Sequence, residues 1–266
     1  MLPDPVRSAL AGLDIGRVSS VERIKHGLTN ESWLVRADTG AFVVRLSNTE
    51  EASLQINRLS EALILAVVAG AGIGPEVIRC EPAQHLLVTR YAGETLTDAD
   101  AVEPTNIRRA AALLSRLHSL PAPIGIQQVD LLAVVDGYLQ TLDQHGLPRA
   151  AGSPEIRQRA REIAVSLQQD SIACLCHNDV HALNIIDDGA LRLIDWEYAG
   201  LGERFFDLAS ICVYQRYDLQ QRELLLRSYD EAAQDASWSR LKLSCWLFDY
   251  IRELWTAVRE LSAQSA

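Results

Sequence analysis

One stretch constrains this chain more than any other. His177-Asn178-Asp179-Val180-His181-Ala182-Leu183-Asn184 is followed by Leu193-Ile194-Asp195-Trp196-Glu197. An aspartate and an asparagine stand five residues apart on one loop, and a second aspartate ends an apolar strand eleven residues further on. Any fold that accepts this stretch has to present the polar side chains from loops and keep their apolar flanks inside.

The rest of the chain is able to enclose such a loop. Its 266 residues suffice for one large domain or two small lobes. With 48% hydrophobic and 23% charged residues it has the composition of a folded globular protein. The net charge of −10 disfavours a binder of nucleic-acid backbone or anionic membrane. The five cysteines, at 80, 174, 176, 212 and 245, lack the spacing of a disulfide framework and point to a reducing compartment. Cys174-x-Cys176 has no second pair at zinc-ligand spacing. Residues 1–13 lack a basic start followed by an apolar run, and the longest apolar stretch, Ala62–Gly74, is too short to span a bilayer. A cytoplasmic protein without membrane or nucleic-acid partners is expected.

The pattern changes character near residue 90. Residues 1–16 read as a short helix. Val18–Lys25, Glu31–Ala37 and Ala41–Leu46 read as strands, the last two joined by the turn Asp38-Thr39-Gly40. Residues 50–69 have helical periodicity, with Leu54, Leu59, Leu63 and Val67 roughly on one face. Gly70, Gly72, Gly74 and Pro75 end that helix. Val77–Cys80 and His85–Tyr91 are two more strands. Beyond Gly93 helices dominate, at Thr105–Ser119, Leu131–His145, Pro154–Gln169, 205–217, 219–235 and 237–262. The apolar segment Cys174–Ile186 and the hairpin Ala190–Ile194 interrupt them. The expected organisation is a β-rich lobe over 1–92 and a helical lobe over 93–266, with a hinge near 89–95.

Phosphoryl transfer needs a carboxylate to orient the attacking hydroxyl and hard oxygen ligands for the Mg²⁺ that bridges nucleotide phosphates. Asp179-x4-Asn184, with Asp195 downstream, has the spacing of a kinase catalytic loop and its metal aspartate. His-x-Asp-x4-Asn, then Ile-Asp-Trp-Glu-Tyr-Ala-Gly (194–200) and Phe-Asp-Leu-Ala (206–209), resembles the aminoglycoside phosphotransferase and choline kinase superfamily. Within it, choline/ethanolamine kinases and bacterial thiamine kinases look most similar. The resemblance is dense over 174–211 and weaker but ordered over 24–120. It implies a protein-kinase-like α+β fold with a small β-rich N-lobe and a larger, mostly helical C-lobe. It also implies ATP as co-substrate and Mg²⁺ in the cleft. Asp179 is then the catalytic carboxylate, Asn184 and Asp195 the Mg²⁺ ligands, and His177 and Asp207 structural supports of the catalytic loop.

Kinase-like folds hold the α/β-phosphates with a basic residue on the third strand, paired to a glutamate on the next helix. The chain has only two lysines, Lys25 and Lys242, against 23 arginines. Arg45 therefore takes that place, with Glu61 as its partner; arginine keeps the charge and adds a bidentate fork. The turn Gly27-Leu28-Thr29-Asn30 is similar to the family's phosphate-covering turn, which implies Gly27, Thr29 and Asn30 at ATP. The glycines at 70–74 follow a helix instead of opening one and fit neither a dinucleotide nor a P-loop pattern.

The carboxylates around Asp179 favour a cationic or neutral alcohol as acceptor. Glu197, two residues past Asp195 on the same side of an extended segment, is a candidate for the acceptor pocket. Trp246, Tyr250 and Trp255, with Phe248, Tyr214 and Tyr217, are candidate walls of a cation cage. Arg252 stands where choline kinases tend to carry the first of two tryptophans. The expected activity is transfer of the γ-phosphate of ATP to a hydroxyl of a small cationic alcohol of choline or ethanolamine type. Thiamine, an aminoglycoside or another small acceptor, and a non-catalytic nucleotide-binding module, are the alternatives. A protein kinase is disfavoured, because the Asp-Phe-Gly and Ala-Pro-Glu signatures are missing.

Overall fold

The computed structural model describes residues 2–24, 30–47, 54–147, 152–169 and 171–265, with side chains through Leu261. Helix α1 (Asp4–Leu10) precedes strands β1 (Val18–Ile24), β2 (Asn30–Ala37) and β3 (Gly40–Ser47); helix α2 (Arg58–Gly70) then leads to β4 (Val77–Glu81) and β5 (Leu86–Arg90). These strands form an antiparallel sheet in the order β1-β2-β3-β5-β4. Successive side chains of a strand point to opposite faces, and β3 uses both. Phe42 and Val44 join Val35, Leu86 and Val88 in a core that Val6 and Leu10 of α1 close. Val43 and Arg45 face the other way, into a cavity, beside Leu87 and Thr89 of β5.

The chain then becomes helical, with α3 (Asp98–Ala101), α4 (Pro104–His118), α5 (Leu131–Gln144) and α6 (Pro154–Gln169). Four three-residue strands carry the polar loops: β6 (Cys174–Cys176), β7 (Ile185–Asp187), β8 (Leu191–Leu193) and β9 (Gly200–Gly202). β6 pairs with β9 and β7 with β8. Helices α7 (Arg204–Tyr214), α8 (Leu219–Tyr229) and α9 (Asp235–Ser265) follow. One continuous core runs from α2 to α9 and includes Trp196. No helix among the described residues is long and apolar enough to cross a membrane.

The glycines at 70–74 form a joint. Leu193 N–H donates to the Ile73 carbonyl at 2.7 Å and Arg192 Nη1 to the Gly72 carbonyl at 3.0 Å, so β8 is fastened to the end of α2. A Cβ at Gly74 would lie 2.7 Å from Val68 Cγ2, too close for any other residue there.

The structure corrects the helix expected over 50–69, which begins at Arg58. Asn57 caps it, its side chain accepting from Ser60 N–H. Gln55 before it has φ 59°, a left-handed conformation that no right-handed helix includes. Residues 48–53 lie outside the described ones. The inner face also differs: Leu59 is 70% exposed and Leu63 42%, while Arg58, Glu61, Ile64, Leu65 and Val68 are buried. The inward face carries two charges, so apolar periodicity selected the wrong side. The helix expected over 1–16 is confined to α1 and stops ahead of Gly12, whose φ is 80°.

Candidate active site

The loop after β6 is held from behind by one buried carboxylate. Asp207, in the first turn of α7, is fully buried. Its Oδ2 accepts from His177 N–H at 2.9 Å and its Oδ1 from Asn178 N–H at 2.6 Å. The His118 ring on α4 lies 3.0 Å from Oδ2 through Nε2. His177 is itself buried, with Nε2 2.9 Å from the Ile194 carbonyl and Nδ1 accepting from Asp179 N–H at 3.3 Å. Those two bonds match an imidazole protonated on Nε2 only. Burial lowers the His177 pKa, more than Asp207 and Asp179 raise it. Asn178 takes φ 67° to turn the chain, and its Nδ2 donates to the Tyr198 carbonyl.

Asp179 emerges from this turn into the cavity. Its Oδ1 accepts from the Tyr214 hydroxyl at 3.0 Å, and its Oδ2 from Asn184 Nδ2 at 3.1 Å. His181 Nε2 lies 3.6 Å from Oδ2. Burial pushes the carboxyl up, yet His181, His177 and Tyr214 outweigh it and hold it below its ordinary value. Asp179 is therefore a carboxylate, an acceptor only. Ile194 N–H donates to the Asn184 carbonyl at 3.0 Å, which sets the end of β8 beside the same turn. Asp195 follows with φ 65° and a third of its side chain exposed. Burial and the Glu197 charge push its pKa up to about 7, against the pull of Arg45.

The sheet reaches this segment through ion pairs. Arg45 on β3 donates from Nη2 to Glu61 Oε2 at 2.6 Å and from Nη1 to Asp195 Oδ1 at 3.2 Å. Arg58, at the start of α2, donates to the same Glu61 oxygen at 2.8 Å and pairs with Glu197 at 3.1 Å. Burial alone would raise Glu61 and lower Arg45; each holds the other charged, with Arg58 helping Glu61 and Asp195 and Glu197 helping Arg45. Asn30 Nδ2 donates to Glu197 Oε2 at 2.8 Å, while Ser47 and Arg58 donate to Asn30 Oδ1. Buried charges survive only when compensated in this way.

A cavity of about 820 Å³ lies between the sheet and the helices. Asp179, Asn184, Asp195, Asn30, Arg45, Glu61, Glu197 and Trp255 line it together. Gly27 and Thr29 lie outside the described residues. His177 and Asp207 stand behind the loop. Trp246 and Tyr250 are elsewhere: they stack on each other at 5.7 Å, with Arg159 over Trp246 at 4.6 Å. The face of α9 that turns to the cavity carries Phe248, Ile251, Arg252, Trp255 and Arg259. At 100° per residue, 246 and 250 fall outside that stripe. Tyr214 and Phe248 line the cavity, and Tyr138 and Tyr198 add walls that no motif signalled. Tyr217 is core, bonded to the Ala101 carbonyl. Arg58 was also missed; its signal is the three-residue spacing to Glu61 on one helix face.

The donor set suits a hard divalent cation. Asn184 spends its Nδ2 on Asp179, and its Oδ1 meets no donor among the described residues. Asp195 presents a partly exposed carboxylate next to it in the lining of the cavity. Carbonyl and carboxylate oxygens of this kind are what Mg²⁺ takes.

Comparison with known proteins extends the geometry. The sequence profile of the phosphotransferase enzyme family matches residues 20–243. Protein LicA of Haemophilus influenzae is 26% identical over 250 residues, or 88% of this chain and 72% of LicA. Ethanolamine kinase 2 of Mus musculus is 26% identical over 231 residues, 79% of this chain and 60% of that protein. The crystal structure of a choline/ethanolamine kinase family protein from Mesorhizobium loti superposes with a TM-score of 0.83 at 27% identity, covering 100% of this chain and 89% of that one. The fold is thus protein-kinase-like, a β-sheet lobe over a helical lobe. Since the profile runs from β1 into α9 and takes in the whole segment from Asp179 to Glu197, the chain belongs to the phosphotransferase enzyme family.

Proposed function

We propose that the protein transfers the γ-phosphate of ATP to the hydroxyl of a small alcohol of the choline and ethanolamine type. One observation carries this reading: Asp179, Asn184, Asp195 and the Arg45–Glu61 pair converge on one cavity. Residues 1–92 act as the lobe that covers the nucleotide and 93–266 as the lobe that holds the acceptor.

Asp179 accepts a hydrogen bond from the acceptor hydroxyl and takes its proton as the oxygen attacks. Its two oxygens are already oriented by Tyr214 and Asn184, so the carboxylate needs little rearrangement on binding. Arg45, fixed by Glu61, presents a guanidinium to the nucleotide phosphates. Asn184 and Asp195 would hold Mg²⁺, whose charge would offset that of the nucleotide phosphates. The aromatic walls Tyr138, Tyr198, Tyr214, Phe248 and Trp255 close the acceptor end against water. LicA and ethanolamine kinase 2 support the acceptor class by their similarity.

The test is ADP release with Mg²⁺-ATP over choline, ethanolamine, thiamine, aminoglycosides and simple sugars. Asp179→Asn keeps the shape and loses the proton acceptor. Its turnover on the accepted alcohol should fall by about 10²–10⁴-fold, the usual worth of a general base. Unchanged turnover would remove Asp179 from the chemistry.

A further inference from the structure

The α9 wall of the cavity carries two positive charges for which phosphate transfer has no use. Arg252 and Arg259 stand on one face of α9 with Trp255 and Thr256 between them, and all four line the cavity. Arg252 bonds Asp249 through Nε and Nη2, both to Oδ1, at 3.3 and 2.6 Å. Its Nη1 meets no partner among the described residues. Arg259, unlike Arg252, has no carboxylate partner among the described residues; its guanidinium lies 5.2 Å from the centre of the Trp255 ring. The indole face that a substrate ammonium would need is thus taken by a cation of the protein itself. Burial and Asp179 push the Tyr214 phenol up, and Arg252 is near enough to pull against them. Tyr214 in turn donates to Asp179. Asp179, Tyr214, Arg252 and Arg259 all line this cavity.

We propose that the acceptor carries an acidic group beside its hydroxyl, a carboxylate that docks on Arg252 and Arg259, so that the substrate is an amino alcohol bearing an acid. This rests on the kinase reading above, and it replaces the plain amino alcohol as acceptor with one that bears an acid. A guanidinium presents parallel N–H donors that match a carboxylate, and the pairing is charge-assisted. A simple ammonium alcohol would meet the Arg259 guanidinium beside an Arg252 whose charge is shared with Asp249. The transfer step is the same for either: the bond between the γ-phosphorus and the ADP oxygen breaks, the bond to the acceptor oxygen forms, and the hydroxyl proton passes to Asp179.

Matched pairs isolate the acid: ethanolamine against serine, and 3-aminopropanol against homoserine, differ by one carboxylate each. With Mg²⁺-ATP, kcat/KM is expected to favour the acid of a pair by about tenfold or more, as one charge-assisted contact provides. R252Q and R259Q should collapse that ratio by raising KM for the acid, and R259K should keep part of it. Wild-type protein that phosphorylates the plain amino alcohol as well as its acid overturns the acidic group and leaves the kinase reading standing. ATP binding without ADP release on any of the four, or on choline or thiamine, overturns both.

Discussion

Asp207 gathers His177 N–H, Asn178 N–H and the His118 ring at a single carboxylate. Asp207→Asn replaces one acceptor oxygen with a donor that faces an N–H. A buried donor left unmatched costs about 1–3 kcal/mol, and the loop before Asp179 loses its anchor. A melt should register that loss, and kcat should fall more than the KM for ATP rises. His177 makes a pH-dependent case. Its folded pKa is held below the ordinary 6.5, so below that pH the unfolded chain takes a proton the fold refuses. Stability is present above about 6.5 and drains away as pH falls. In His177→Gln the drop in melting temperature between pH 7.5 and pH 5.5 should be smaller than in the wild type. Asp179, Asn184 and Asp195 were legible from sequence because their spacing is local and their chemistry specific. Arg58 was legible only through its spacing to Glu61, and the Asn30–Glu197 bond not at all, since it joins positions 167 residues apart.

At the level of elements, α2 and α9 show where periodicity serves and where it misleads. The helices themselves were visible, and their ends were set by caps: Asn57 on α2, and Asp130 on α5, whose side chain accepts from two backbone N–H groups. Which face turns inward was harder to read. On α2 the buried face includes a salt-bridged Arg58 and Glu61, which a hydrophobicity count scores as surface. Leu59→Glu should therefore change stability by no more than about 0.5 kcal/mol. Ile64→Ala, further along the same helix and fully buried, should cost about 2–5 kcal/mol. Denaturant titration of the two variants tests the face directly, because the periodicity reading gives Leu59 the larger cost. On α9 the aromatic cluster is split between two sides, and the packing of α5, α6 and α7 against it decides which aromatics see the cavity.

Across the whole molecule, the sheet and the catalytic segment are joined by charge. Arg45 reaches Asp195 and Arg58 reaches Glu197, each pairing across more than a hundred residues of chain. Removing one partner of a buried network leaves the others uncompensated, which costs about 3–5 kcal/mol. Arg58→Met should lower the unfolding free energy by that order, and hydrogen exchange should report faster opening of β1–β3 than of α7. The two-part organisation was legible from the shift between strand-rich and helix-rich sequence, whereas the bonds that join the parts have no local trace.

The α9 side of the cavity is built differently from the rest of its lining. Phe248, Arg252, Trp255 and Arg259 belong to a single stripe of α9, whereas the residues assigned to phosphate transfer sit on β3, on α2 and between β6 and β9. Substitutions along that one stripe can therefore reshape the α9 side of the cavity while β3, α2 and the segment between β6 and β9 stay as they are.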